Sequence, residues 1–129
     1  MRLFIADDSE ILRNHLSDIL FDMKGIEIVG EASNTVDAIE SIKLLVPDVS
    51  IVDIRLPGEG GIFILEKIKE FNKEIIVIVF TNYPYPQYRK RCMEKGADYF
   101  FEKSKELELM LKKLEEIQDL DNKNRAEEK

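Results

Sequence analysis

The segment Ile75-Ile-Val-Ile-Val-Phe80 decides the fold class of this 129-residue chain. Its apolar residues follow one another without alternating polar positions, and most are β-branched, which favours a strand. A strand that is apolar throughout is typical of the interior of a parallel sheet, where helices cover both faces. The segment therefore predicts a central strand of a parallel sheet.

Four other short apolar runs have the same character. They are Leu3–Ala6, Ile26–Val29, Val49–Val52 and Tyr99–Phe101. Between the runs, apolar residues recur every three or four positions, which predicts helices. These helical segments begin after Ser9, after Asn34, near Gly61, at Gln87 and at Ser104. Five strand–helix units predict the α/β class, with right-handed crossovers and helices on both sides of the sheet.

Composition limits the kinds of protein this chain can be. Hydrophobic residues make up 44% of it, which is enough for a core and excludes wholesale disorder. The 19 Lys and Arg against 26 Asp and Glu give a net charge of −7, which argues against a nucleic-acid-binding surface. A single cysteine, Cys92, excludes an intrachain disulfide and a cysteine-based zinc site.

Neither a membrane span nor a secretory signal is indicated by the hydropathy pattern. We therefore expect a soluble, cytoplasmic protein without membrane contacts. Residues 1–120 are predicted to form one domain. Residues 121–129 are polar and are predicted to be a frayed tail or the remnant of a linker.

Polar side chains with related chemistry follow four of the predicted strands. Asp7 and Asp8 follow the first strand, Asp53 the third, Thr81 the fourth and Lys103 the fifth. Ligands of such sheets bind beyond the carboxyl ends of the strands, so these side chains are expected at one rim. Carboxylate oxygens suit Mg²⁺, while a lysine and a hydroxyl suit phosphoryl oxygens. The pattern indicates Mg²⁺-dependent phosphoryl transfer with Asp53 as nucleophile.

The sequence resembles the receiver domain family of response regulators in two-component signalling, from Met1 to about Ile117. The matching motifs are Ile5-Ala6-Asp7-Asp8-Ser9, Ser50-Ile51-Val52-Asp53-Ile54-Arg55-Leu56-Pro57-Gly58, Phe80-Thr81-Asn82 and Gly96-Ala97-Asp98-Tyr99-Phe100-Phe101-Glu102-Lys103. The resemblance implies a flavodoxin-like (βα)5 fold, a doubly wound five-stranded parallel sheet with strand order 2-1-3-4-5.

The resemblance also implies roles for the residues at the rim. Asp53 would accept a phosphoryl group from a sensor histidine kinase or a phosphotransfer protein, as a signalling phosphoprotein or a member of a phosphorelay. Asp7, Asp8 and Asp53, together with the backbone carbonyl of Arg55, would bind Mg²⁺. The domain would catalyse only its own phosphorylation and dephosphorylation, so it would not be an enzyme in the usual sense.

Further roles concern the switch and the lifetime of the phosphate. Thr81 would be the switch hydroxyl, Lys103 the cation that pairs with the phosphate, and Phe100 the switch aromatic, which we expect to turn inward on phosphorylation. Arg55 and Tyr83 would flank the access of water to the phosphate. The fourth helix, fifth strand and fifth helix would form a face for a partner protein or a homodimer.

Three alternatives remain open from the sequence. A phosphatase of the haloacid dehalogenase type uses a similar set of residues, but there the nucleophile follows the first strand and the acidic pair comes last. An interaction module that keeps the fold without being phosphorylated typically lacks one of the acids or the lysine. The chain is also compatible with the N-terminal receiver of a longer, possibly DNA-binding, regulator cut at its linker.

Overall fold

Strands and helices alternate throughout the computed structural model of the chain, which describes residues 1–127. The elements are β1 (Arg2–Ala6), α1 (Glu10–Phe21), β2 (Glu27–Ala32), α2 (Thr35–Leu45), β3 (Val49–Val52), α3 (Gly61–Phe71), β4 (Ile76–Thr81), α4 (Pro86–Glu94), β5 (Tyr99–Glu102) and α5 (Leu107–Glu127).

The five strands form one parallel sheet in the order β2-β1-β3-β4-β5. The predicted α/β class, doubly wound topology and strand order are therefore confirmed. The winding changes direction at β1, which lies between β2 and β3. In such sheets the crevice beyond the carboxyl ends of the central strands is where ligands bind.

Two apolar clusters, one on each face of the sheet, form the core. Adjacent residues of β3 point into different clusters: Val52 packs on the side of α2, α3 and α4, and Ile51 on the side of α1 and α5. This arrangement explains the unbroken apolar runs, because a strand covered on both faces buries every side chain. It also directs the strand ends, and the polar residues that follow them, to one rim.

Helix α5 differs from its predicted limits at both ends. It begins at Leu107 rather than at Ser104, because the residues before it form a turn closed by two hydrogen bonds to Glu102. The Glu106 carboxylate accepts from the Glu102 N–H, and the Ser104 hydroxyl donates to the Glu102 carboxylate, both at 2.9 Å. It continues to Glu127, through the segment predicted as a frayed tail. An ion pair one helical turn apart, between Arg125 Nε and Asp121 Oδ2 at 3.2 Å, favours this continuation.

Residues 128 and 129 of the predicted tail lie outside the described residues. Within residues 1–127, α5 included, no helix is both long and apolar enough to cross a membrane.

The predicted first and last residues of the other helices and strands differ from those in the structure by one to three residues. Helix α4, for example, begins at Pro86 rather than at Gln87, since proline is well tolerated in the first turn of a helix.

Candidate functional site

The carboxyl ends of β1 and β3 bring three carboxylates together at the rim of the sheet. Asp7 and Asp53, directly after these central strands, are 3% and 5% exposed, whereas Asp8 is exposed to solvent. One carboxylate oxygen from each of the three lies within 4.8 Å of the others. Adjacent parallel strands impose this proximity, because Asp53 N donates to Ala6 O at 3.0 Å and so aligns the two strand ends.

Lys103 reaches into this carboxylate cluster from the end of β5. Its Nζ lies 2.7 Å from Asp53 Oδ2 and 2.6 Å from Asp7 Oδ2, and its side chain is only 11% exposed. The backbone N–H of Lys103 donates to Thr81 O at 2.9 Å, which fixes the start of the side chain. The ammonium group therefore bridges the two buried carboxylates.

The charges at this site are unbalanced. Burial raises the pKa of Asp7, and the hydrogen bonds from Lys103 and the Ser9 N–H offset this effect only in part. Burial by itself would lower the pKa of Lys103, but hydrogen bonds to Asp53 and Asp7 outweigh it and the pKa of Lys103 is raised. Within residues 1–127, the only ion pairs of the clustered carboxylates are those with Lys103, so one ammonium group faces three carboxylates. A site short of positive charge favours a further cation.

The donor set fits a hard divalent cation. Asp7, Asp8 and Asp53 offer only oxygen ligands, two of them buried and one facing solvent. Magnesium prefers oxygen ligands and retains several water molecules, which suits a cluster with one open side. Arg55, whose carbonyl was predicted as a further ligand, belongs to the loop after Asp53, and its N–H donates to Asp53 Oδ1 at 3.2 Å.

Ser9, the N-cap of α1, and Arg13, in its first turn, support Asp7 and were missed as site residues by the sequence analysis. The Ser9 N–H donates to Asp7 Oδ1 at 2.9 Å, while its hydroxyl caps α1 by accepting from Leu12 N at 3.2 Å. The guanidinium of Arg13 donates to the backbone carbonyl of Asp7 at 2.5 Å. The available signal was a long basic side chain one turn into the helix that follows the acidic pair.

The predicted switch and access residues lie beside the cluster. Thr81 is fully buried, and its hydroxyl oxygen accepts from Tyr83 N at 3.2 Å, which leaves the hydroxyl proton able to donate elsewhere. The guanidinium carbon of Arg55 lies 4.4 Å from the centroid of the Tyr83 ring, a cation–π contact. Arg55 and Tyr83 are thus stacked on each other.

Phe100, predicted as the switch aromatic, lies in the interior of the structure. Its ring is 4% exposed and belongs to the same apolar cluster as Cys92 of α4. Alternation along β5 directs this side chain to the face covered by α3 and α4. The guanidinium carbon of Arg89 covers the ring at 5.4 Å from its centroid.

Comparison with known proteins gives a consistent result. A family model described as the response regulator receiver domain matches residues 3–115. The chain is 35% identical over 102 residues to the chemotaxis protein CheY of Halobacterium salinarum, which covers 79% of this chain and 83% of that protein. It is 27% identical over 117 residues to the response regulator GacA of Pseudomonas aeruginosa, which covers 91% of this chain and 55% of that protein.

Several of the similar proteins are longer than this chain. It spans 55%, 30% and 33% of three relatives, which are GacA, a cyclic di-GMP phosphodiesterase of Thermotoga maritima and a protein-glutamate methylesterase of Bacillus subtilis. Among solved structures, a chain from the CheX-CheY-BeF3-Mg complex of Borrelia burgdorferi superimposes with a TM-score of 0.82 at 28% identity. That superposition covers 91% of this chain and 88% of the other.

Proposed function

This chain belongs to the response regulator receiver domain family, and on that premise we propose that Asp53 accepts a phosphoryl group from a sensor histidine kinase or a phosphotransfer protein. The observation that carries the proposal is the surroundings of the Asp53 carboxylate. Its Oδ2 is 2.7 Å from the Lys103 ammonium, and it belongs to an acidic cluster whose oxygens lie within 4.8 Å.

The proposed reaction is one displacement at phosphorus. An oxygen of Asp53 attacks the phosphorus of a phosphohistidine, an O–P bond forms, and the N–P bond breaks as the imidazole leaves with its electron pair. Lys103 then pairs with oxygens of the transferred group instead of with both carboxylates. The Thr81 hydroxyl, whose proton is not committed to Tyr83, donates to another phosphoryl oxygen.

Asp7, Asp8 and Asp53, with the backbone carbonyl of Arg55, are the residues that would hold Mg²⁺. When bound, the ion supplies positive charge that offsets the developing charge on the phosphoryl oxygens. The support for this ligand set is the oxygen-only donor set and its shortage of positive charge.

The face of α4, β5 and α5 is the surface on which we expect the switch to act. Phe100 and Arg89 connect the interior beside Thr81 to this face, since Arg89 covers the buried ring. Tyr85 and Tyr88 form a tilted aromatic pair next to them, with ring centroids 5.9 Å apart. Movement of Thr81 toward a phosphoryl group would change the packing behind this surface, to which a partner protein or a second copy would bind.

For residues 1–120, the predicted receiver domain, we propose no enzymatic activity other than its own phosphorylation and dephosphorylation. The relatives named as a phosphodiesterase and a methylesterase are about three times as long as the matched segment, so their activities are not transferred to this chain. If a longer regulator contains this chain, α5 would lead into its linker.

The test is phosphorylation with a small phosphodonor and Mg²⁺, comparing the parent protein with Asp53→Asn. Asparagine keeps the shape of the side chain but is a poor nucleophile, so we expect complete loss of labelling in the variant with an unchanged circular dichroism spectrum. Persistent labelling of Asp53→Asn would exclude Asp53 as the acceptor. Continuous turnover of the donor would instead favour a phosphatase, and no reaction by the parent would favour an inert interaction module.

A further inference from the structure

Thr35, the first residue of α2, is bonded to both ends of a loop segment, residues 57–60, that precedes α3. Its hydroxyl donates to Pro57 O at 3.0 Å and accepts from Gly60 N at 3.0 Å. Its backbone N–H donates to the same Pro57 carbonyl at 2.9 Å. Thr35 is 2% exposed, so its side of these bonds is buried.

The loop is shaped to fit against this threonine. Gly58 has a φ of +103°, a conformation that side chains disfavour, and a Cβ built on it would lie 3.0 Å from Thr35 Cβ and Oγ1. A residue with a side chain at position 58 would therefore push the loop away from α2. The close approach and the paired hydrogen bonds are independent features that hold the same segment.

The same loop connects the phosphorylation site to α3. It starts at Asp53, and Arg55 N donates to Asp53 Oδ1 at 3.2 Å. Residues 54–56 are consequently held between Asp53 at one end and Pro57, bonded to Thr35, at the other. The Arg55 carbonyl, the backbone ligand proposed above, lies within this short stretch.

We infer that Thr35 is a positioning residue that preorganises the loop after Asp53 for cation binding and phosphoryl transfer. The inference rests on the proposed function, because it assumes that Arg55 O is a ligand. If the loop has its binding conformation in only a fraction of the molecules, the apparent affinity for Mg²⁺ falls in proportion to that fraction. Helix α2, which supplies none of the proposed reacting groups, thereby influences the site through one hydroxyl.

The test compares Mg²⁺ affinity by calorimetric titration in the parent, Thr35→Val, Thr35→Ser and Asn34→Ala proteins. Valine keeps the branched shape but removes both side-chain hydrogen bonds, so we expect the Kd for Mg²⁺ to rise about three- to tenfold. Serine keeps the hydroxyl and should retain an affinity near that of the parent. Asn34→Ala removes the cap of the same helix, in which Asn34 Oδ1 accepts from Asp37 N at 2.9 Å, without touching the loop.

A second measurement needs no metal. Amide hydrogen exchange at Gly60, whose N–H bonds to the Thr35 hydroxyl, should be faster in metal-free Thr35→Val and unchanged in Thr35→Ser. Equal losses of Mg²⁺ affinity in Thr35→Val and Asn34→Ala would overturn the inference, because general loosening of α2 would then explain both. If the parent binds Mg²⁺ and Thr35→Val binds it with the same affinity, the inference about Thr35 is overturned while the proposed metal site stands. A parent protein that does not bind Mg²⁺ overturns the proposed metal site and this inference with it.

Discussion

Lys103 bonds to two of the carboxylates that we propose as ligands of Mg²⁺. A divalent cation at the site therefore competes with the ammonium for the oxygens of Asp7 and Asp53. In the metal-free protein, Lys103 is the counterion of both groups. Removing it should leave two buried carboxylates uncompensated, at a cost of several kcal/mol.

We predict that Lys103→Met lowers the free energy of unfolding by about 3 kcal/mol in EDTA and that saturating Mg²⁺ restores more stability to the variant than it adds to the parent. Urea unfolding with and without Mg²⁺ measures both quantities. Lys69→Met is the matched control, because Lys69 is a similarly buried lysine, paired with Asp98 at 2.9 Å, away from the site. A Mg²⁺ effect in Lys103→Met no larger than in the control would refute the competition.

The pH dependence of the same variant has a defined sign. The pKa of Lys103 is raised above its ordinary value in the folded protein, so its stabilising contribution is complete below the ordinary lysine pKa. The contribution is lost as pH rises through the higher, folded-state value. The stability difference between the parent and Lys103→Met should therefore shrink at alkaline pH.

Arg55 and Tyr83 form a stack next to Asp53, and we predict that it shields the phosphorylated residue from water. Water must approach phosphorus opposite the Asp53 oxygen to hydrolyse an aspartyl phosphate. The backbone of Tyr83 is restricted by the following Pro84, which limits the positions of its ring. The double variant Arg55→Ala, Tyr83→Ala should lose its phosphate about two- to fivefold faster, the equivalent of a cation–π contact of about 0.5–1 kcal/mol.

Dephosphorylation rates of the double variant and of Tyr85→Ala test the shielding. Tyr85 belongs to the same loop but pairs with Tyr88, so its removal should leave the rate unchanged. Slower hydrolysis in the double variant would mean that Arg55 stabilises charge in the transition state.

At the level of whole elements, α3 begins in direct contact with the backbone of the phosphorylation site. Gly61, its first residue, donates to Ile54 O at 2.9 Å. A Cβ at position 61 would lie 2.0 Å from the backbone oxygen of Asp53, so neither alanine nor any larger residue fits without moving the strand end. The start of α3 and the position of Asp53 are thus fixed by one contact.

We predict that Gly61→Ala lowers the free energy of unfolding by more than about 2 kcal/mol and slows phosphorylation, although alanine favours helices. Gly30→Ala in β2 is the control, because its Cβ would meet side chains only, Leu45 Cδ1 at 2.9 Å and the buried ring of Phe4 at 3.0 Å, and not the backbone of the phosphorylation site. Urea unfolding and phosphorylation rates distinguish the two. An equal or smaller cost for Gly61→Ala would show that α3 can shift away from Asp53.

The strands and the rim residues could be predicted because their signals are local. An unbroken apolar run such as Ile75–Phe80 identifies a covered strand, and the residue that follows each strand must lie at the rim. The contacts of Thr35 and Arg13 were not predictable, since they depend on how α1 and α2 approach loops far away in the sequence. The length of α5 was missed because its last turns bury few apolar residues and depend on local pairs such as Asp121–Arg125.

For the molecule as a whole, the distribution of charge sets α4 apart. The chain carries a net charge of −7, yet residues 86–95 contain four cationic side chains and one carboxylate. An acidic surface of a partner would therefore be attracted to α4 and repelled by much of the rest. The cation next to the switch, Arg89, belongs to this patch.

We predict that a phosphoryl mimic, beryllium fluoride with Mg²⁺, changes amide chemical shifts in α4, β5 and the first turns of α5 as well as in the loops around Asp53. The reason is that Thr81 and the buried Phe100 connect the site to that face. Asp53→Asn treated in the same way is the control and should show only the effects of Mg²⁺. Changes confined to the loops around Asp53 would contradict a switch at this face.

The aromatic residues give the molecule an optical asymmetry. The chain contains no tryptophan, and its four tyrosines are Tyr83, Tyr85, Tyr88 and Tyr99. All four lie between the end of β4 and the start of β5, and two of them have a cation over the ring, Arg55 over Tyr83 and Lys113 over Tyr99. The tyrosine emission of the protein therefore comes only from the side that contains the phosphate access and the α4–β5 surface, so this side can be followed without any attached dye when tyrosine is excited selectively.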